Sequence, residues 1–185
     1  MRIAVSGTHC SGKSTLVEDF LAAHRDYLHE PEPYEWLEDE LAAGEPDAND
    51  FNRQLQLSVE RLSTYGLGTR VIAERSPLDF LAYMLALADL GRTGRDCALI
   101  ASAAECAAAG MAHVDLLVLL PLNGTDGIFA PDSEDLELRE AMNDRLLDLV
   151  AADPYSLFAS GRPRVVEIHG SRYERLRQLG DAVTG

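Results

Sequence analysis

One octapeptide near the start of the chain limits what it can become. GTHCSGKS at residues 7–14 fits G-x-x-x-x-G-K-[ST] at every fixed position. Its spacing has a physical logic. Two glycines let the backbone curl with its amide N–H groups pointing inward, the lysine reaches the terminal phosphates of a nucleotide, and the serine hydroxyl binds magnesium. A helix starting at the lysine aims its positive end at the same anion. The context fits: residues 1–6 are an apolar run that reads as a buried strand, and Leu16, Val17, Phe20 and Leu21 recur at helical spacing behind the motif. Phosphate contacts therefore fall on Gly7, Thr8, His9, Cys10, Ser11, Gly12, Lys13, Ser14 and Thr15, with Lys13 catalytic and Ser14 on the metal. The implied cofactors are ATP and Mg2+. His9 and Cys10 occupy free positions, where the backbone rather than the side chain does the binding.

The rest of the chain alternates strand and helix signals. A short strand is expected within residues 27–33, a helix over 35–43 and a loop over 44–49. The next helix is capped by Asp47 or Asn49, carries Phe51, Leu55, Val59 and Leu62 on one face, and is stopped by Gly66 and Gly68. Residues 70–75 read as a strand, and Pro77 opens a helix running to about Leu90. An alanine-rich helix over 96–109 ends at Gly110, followed by a strand over 114–120 and a loop over 123–127. Asp132 or Ser133 opens a helix to about Ala152; a strand over 164–168 and a helix over 171–179 complete the chain. This pattern predicts an α/β, three-layer P-loop NTPase fold, a mostly parallel five-stranded sheet flanked by helices. It reads as a single domain over 1–185, with a lid region at about 122–145.

Composition narrows the partners. With 31 acidic against 16 basic residues, the formal charge is −15, which argues against binding a nucleic-acid backbone. The longest apolar stretch, 113–122, contains Asp115 and is too short for a bilayer, so no membrane is expected. Cys10, Cys97 and Cys106 form no C-x-x-C pair, and the default is a reduced cytoplasmic setting. The partners are a nucleoside triphosphate and a small-molecule acceptor; a homodimer is compatible with the sequence.

A carboxylate closes the second long strand. Glu74-Arg75-Ser76 follows Val71-Ile72-Ala73, and ligands of this architecture gather at carboxyl ends of strands. Glu74 there can hold a magnesium-bound water or accept a proton from an attacking hydroxyl, and Arg75 can bind phosphate or position the acceptor. Glu30, Glu32, Tyr34 and Trp36 suit a cleft beside the sheet. Arg139 and Arg145 are six apart and share no helical stripe, so at most one reaches a transferring phosphate; the other pairs with Asp135, Asp148 or another acid.

GTHCSGKST, HEPEPYEW, QLQLSVER and ERS, in that order, resemble the deoxynucleoside kinases. The resemblance implies that Glu30 or Glu32 is the base on a sugar hydroxyl. It also implies that Trp36 walls the acceptor pocket, Gln54 reads a nucleobase and Arg75 binds phosphate. Gln54 could equally lie on the wet face of its helix. The C-terminal half is similar to a bacterial AAA-type P-loop ATPase group related to the nicotinamide riboside kinase domain. The shared features are Asp126-Gly127, Pro131-Asp132, Arg139, and Glu167 to Ser171 with Arg175; Ile128 follows the Asp-Gly pair. That similarity implies that Gly170 and Ser171 contact adenine; Ser171 also suits a helix cap. Together the resemblances imply an ATP-dependent phosphotransferase that moves the γ-phosphoryl group to a hydroxyl of a nucleoside-like metabolite. The competing reading is a nucleotide-binding ATPase or regulatory switch with slow hydrolysis and no acceptor.

Overall fold

Why the chain builds its sheet in one particular order follows from which strands are apolar on both faces. In a computed structural model, which describes residues 1–37, 46–94, 96–124, 126–131, 133–159, 161 and 163–185, β1 (Arg2–Ser6) lies at the centre. It pairs with β3 (Val71–Glu74) on one side and β4 (Leu116–Leu119) on the other. Outside these lie β2 (Leu28–Glu30), beside β3, and β5 (Arg164–Glu167), beside β4. All five strands are parallel, in the order β2-β3-β1-β4-β5. The three inner strands are buried along their whole length, while the edges β2 and β5 carry exposed residues.

Successive strand residues feed opposite layers. Ile3, Val5, Ile72, Leu116 and Val118 pack with Leu16, Val17 and Phe20 of α1 (Lys13–Ala23) and Leu179 of α7 (Arg172–Thr184). Ala4, Ala73, Leu117 and Leu119 face the thicker layer, formed by α3 (Ala48–Thr64), α4 (Pro77–Asp89), α5 (Cys97–Met111) and α6 (Leu136–Ala152). Helix α4 is the axis of that layer and packs against α3, α5 and α6. A short α2 (Tyr34–Leu37) follows β2. This is the three-layer α/β P-loop fold that the strand and helix alternation predicts.

Local chemistry sets the helix ends. Asp47 accepts from the amides of Asn49 and Asp50 in a reciprocal capping box, and Ser76 with Pro77 behind it opens α4. Three boundaries differ from the sequence reading. Gly110 lies inside α5 instead of stopping it: a Cβ there would sit 2.6 Å from Val59 Cγ2 and 2.7 Å from Pro77 Cγ, so the glycine is where α5 closes on its neighbours. Helix α6 is capped by Asp135, whose side chain takes the Leu138 amide; Ser133 precedes the helix, and Asp132 is outside the described residues. Helix α7 continues through Gly180 to Thr184 because Leu179 is anchored in the core. The helix expected over 35–43 is seen only as α2, its remainder falling outside the described residues. Among the described residues, no helix is long and apolar enough to cross a membrane.

Candidate nucleotide and acceptor site

The loop between β1 and α1 sits above the carboxyl end of the central strand, where the chain has built neighbours on both sides. Its curl rests on left-handed backbone at Cys10 (φ 52°) and Gly12 (φ 89°). At Gly7 space is the constraint, because a Cβ would lie 2.9 Å from the Leu120 carbonyl oxygen. Lys13 is buried, and its ammonium makes a hydrogen bond to the Thr8 carbonyl at 2.8 Å. Burial, with the Arg75 charge adding to it, pulls the Lys13 pKa down to about 7. The Ser11 hydroxyl is buried with no hydrogen-bond partner among the described residues. A cationic group pushed toward neutrality and an orphaned hydroxyl in one curled loop fit a polyanion, which would supply the partners both lack. Thr15 and Gly12 line the neighbouring cleft.

Glu74, at the end of β3, meets this loop directly. One carboxylate oxygen accepts from Ser14 Oγ at 2.8 Å and the other is 3.2 Å from His29 Nε2. Ser14 and Glu74 are thus side by side, an oxygen pair that suits magnesium or its bound water. Beneath them lies Asp79, fully buried at the first turn of α4. Its carboxylate accepts from the amides of Gly7 at 2.9 Å and Ser76 at 2.8 Å, and lies 2.6 Å from Ser6 Oγ and 2.9 Å from Ser76 Oγ. Asp79 fixes the first amide of the phosphate loop to α4. Sequence reading did not single it out, although S-x-x-D after a strand is a capping-box signal that points to it.

A cavity of about 670 Å³ opens beside the loop. Its walls include Glu32, Gln54, Arg75, His9 and the parallel-stacked rings of Phe51 and Tyr83, whose centroids are 4.5 Å apart. Arg75 has left-handed backbone (φ 69°), a costly conformation for a non-glycine residue, and this turn throws its side chain into the cavity wall. Its guanidinium pairs with Glu32, lies 3.9 Å from Asp79, donates to the Gly7 carbonyl at 3.4 Å and covers the Tyr83 ring at 5.2 Å. Gln54 is buried, 4 % exposed, facing this cavity rather than the wet face of α3.

Two residues expected in the acceptor pocket stand elsewhere. Glu30 points away from the cavity: both of its oxygens are engaged by Arg61, and Tyr65 Oη donates to it at 2.5 Å. Burial, then that carboxylate, push the Tyr65 hydroxyl up to about 12. Glu30 is a structural anchor, its carboxylate committed to a guanidinium and a phenol outside the cavity lining. Trp36 is 54 % exposed with the Arg61 guanidinium 4.3 Å above its ring, and among the described residues it does not line the cavity. The ring stacks on the anchor instead of walling the pocket.

The opposite flank holds a second cleft, about 280 Å³, lined by Gly12, Thr15, Leu16, Asp126, Ile128, Arg172 and Arg175. Arg175 reaches in three directions: to the Ser11 carbonyl at 2.7 Å, to the Gly170 carbonyl at 3.0 Å, and to Asp126. Burial alone would raise the Asp126 carboxyl, but hydrogen bonds from Arg175, Asn123 and the Gly170 amide hold it below the ordinary range. This buried pair ties three loops together. Gly170 thereby faces Asp126, while Ser171 caps α7 with Glu174. Arg139, expected at the transferring phosphate, donates to the carbonyls of His9 and Cys10 at 3.1 Å each. It braces the loop from outside, since main-chain oxygens turned away from an anion-binding loop need donors. Arg145 pairs with Asp89 and Asp148, and Asp135 with Arg92. Arg61 closes the QLQLSVER motif with no role assigned to it and Tyr83 carried no sequence signal; their roles appear only when α3 and α4 pack over β2 and the phosphate loop.

A family model described as an AAA domain matches residues 2–167. No curated protein matches the sequence. Among solved structures, deoxyadenosine kinase from M. mycoides with bound dATP is 13 % identical, with full coverage of both chains and a TM-score of 0.66. NadR protein in complex with NR is 18 % identical at TM-score 0.66; the match covers 98 % of this chain and 50 % of that one. Thymidylate kinase from Candida albicans is 16 % identical, with 99 % and 90 % covered and a TM-score of 0.61. Likeness at these identities speaks for the fold alone, which is the three-layer α/β P-loop fold described above. Since the family match spans most of the sequence and the phosphate loop sits where that fold requires it, the chain belongs to the AAA domain family.

Proposed function

We propose that this protein is an ATP-dependent phosphotransferase that moves the γ-phosphoryl group to a hydroxyl of a nucleoside-like small molecule. The observation that carries the reading is the cavity of about 670 Å³ beside the phosphate loop. A loop that only bound and hydrolysed nucleotide would need no adjoining chamber, yet His9 and Arg75 belong both to the phosphate loop's surroundings and to a cavity that holds Glu32, Gln54 and a stacked aromatic pair. The neighbours point the same way, one being a deoxyadenosine kinase and another having been solved with NR.

Each residue has a distinct task. Inward amides of residues 7–14 and the Lys13 ammonium hold the phosphates, and phosphate charge restores the proton that burial weakens. Ser14 and Glu74 would hold magnesium, which when bound neutralises charge on the phosphate oxygens. Gln54, Phe51 and Tyr83 orient the acceptor. Glu32 takes the proton of the attacking hydroxyl as that oxygen forms its bond to phosphorus, and Arg75, paired with one of its oxygens, holds the carboxylate in position. The bond to the leaving β-phosphate oxygen breaks, giving ADP and the phosphorylated acceptor.

One observation favours the slower reading: Arg139 and Arg145 are both committed to other groups, so among the described residues of the lid neither arginine meets the transferring phosphate. The experiment separates the two. ADP release is measured across nucleosides, nicotinamide riboside, sugars and aminoglycoside-like alcohols, with wild type and Glu32→Gln. Acceptor-stimulated release that falls by about 10²-fold or more in Glu32→Gln, while Mg-ADP still binds, supports transfer. Tight nucleotide binding with no stimulation by any acceptor supports the switch.

A further inference from the structure

His9 holds a free position of the phosphate-loop motif, where only the backbone was expected to work, and yet its side chain is held in a specific way. Tyr83 Oη accepts the His9 main-chain N–H at 3.0 Å and lies 3.1 Å from His9 Nδ1. Tyr83 is 3 % exposed, and His9 is its hydrogen-bonding partner through both contacts. Having accepted one N–H, the hydroxyl still has a proton to donate, and Nδ1 is within reach to take it. The Thr8 hydroxyl, 3.4 Å from the same nitrogen, can donate to it as well. With the two hydroxyls donating, Nδ1 is the acceptor, and in the neutral ring the proton resides on Nε2. That Nε2–H is buried and, among the described residues, meets no acceptor in hydrogen-bonding geometry; the Glu134 carboxylate is 3.8 Å away, beyond hydrogen-bonding distance. His9 lines the acceptor cavity together with Glu32, Gln54 and Arg75.

A buried donor without an acceptor is costly, and it persists where something else completes it. We infer that His9 is a substrate-contacting residue: its Nε2–H, oriented by Tyr83, donates to an oxygen of the acceptor molecule and so helps select it. Burial, reinforced by the positive charges of Arg75 and Arg139, outweighs Glu134 and the Asp135 main chain and lowers the His9 pKa, which favours the neutral ring and leaves its proton available for an uncharged or anionic oxygen. Tyr83 acts as the positioning residue. This role rests on the cavity being the acceptor site proposed above.

Two measurements test it, one of which needs no turnover. In 15N-histidine-labelled wild-type protein at pH 7.5 with Mg-ADP, His9 is expected as the Nε2–H tautomer, shifting to a mixture in Tyr83→Phe. Its Nε2 resonance is expected to move when one of adenosine, deoxyadenosine, deoxycytidine, thymidine or nicotinamide riboside is titrated to millimolar concentration. An Nδ1–H tautomer in wild type, or an Nε2 signal unmoved by all five, overturns the assignment whether or not the protein is a kinase. Movement without acceptor-stimulated ADP release leaves it standing and removes the kinase reading instead. With the acceptor that gives the highest turnover, His9→Phe should raise the acceptor KM by about ten-fold more than the ATP KM, as loss of a buried donor predicts, and His9→Gln should recover much of it. Equal changes in both KM values overturn the role.

Discussion

Asp79→Asn removes one charge from beneath the phosphate loop with almost no change of shape. In the native site one oxygen, Oδ1, accepts the Gly7 amide at 2.9 Å, and the other, Oδ2, accepts the Ser76 amide at 2.8 Å beside the hydroxyls of Ser6 and Ser76. An asparagine has one acceptor end and one donor end. Whichever way it turns, its NH2 group faces a main-chain N–H that can only donate. One amide is left buried and unsatisfied, and the charge-assisted character of the remaining bonds is lost. Together these cost about 2–4 kcal/mol. At roughly 2–4 °C per kcal/mol for a chain of this size, the midpoint should fall by about 4–16 °C. A second effect follows, because the Asp79 charge holds the Lys13 pKa up against burial, so the variant's lysine loses its proton more readily than at about 7. Nucleotide affinity should therefore fall most above neutral pH. Urea unfolding monitored by circular dichroism gives the first quantity, and calorimetric titration of Mg-ADP at pH 6.5 and 8 gives the second. A variant within about 0.5 kcal/mol of wild type would refute the claim that Asp79 anchors the loop, since surface changes away from such features stay inside that band.

Lys13 makes the parent protein pH-sensitive too. Its folded pKa, about 7, lies below the unfolded lysine value, so the unfolded chain binds more protons between the two and stability should rise with pH across that window. Bound phosphate reverses the shift, so nucleotide binding at pH 8 should take up close to one proton. Calorimetry in buffers of different ionisation enthalpy reads this, and Lys13→Met should abolish the uptake. Arg175→Met leaves Asp126 buried without its counter-ion and should cost about 3–5 kcal/mol in urea unfolding. Adding Asp126→Asn should recover part of that loss, and simple additivity of the two changes would contradict the strut. Glu30→Gln should lose about 2 kcal/mol of stability, because Arg61 is partly exposed and the pair is screened. Glu32→Gln should instead leave stability nearly unchanged and lose transfer, and thermal melts beside turnover assays distinguish the two glutamates.

Much of the fold was legible because its signals are local. The apolar runs at β1, β3 and β4, the capping residues Asp47 and Ser171, and Pro77 at the start of α4 each follow from neighbouring residues alone. The errors have a common cause. Gly110 read as a helix stop because glycine ends helices locally, but close contact with Val59 and Pro77 comes from two other helices. Glu30 and Glu32 are indistinguishable in HEPEPYEW; packing of Arg61 from α3 and of Tyr65 at its C-terminal cap commits one and leaves the other facing the cavity.

By itself, the sequence determined that residues 7–14 curl around an anion between a buried strand and a helix, since glycine spacing, lysine and serine act through bonds within one short segment. Only the tertiary structure decided what surrounds that loop. Asp79 beneath it, Arg139 and Arg175 bracing its carbonyls, and Tyr83 orienting His9 arrive from positions far along the chain. Such long-range hydrogen bonds are fixed by how helices stack on the sheet, and no pattern of adjacent residues encodes them.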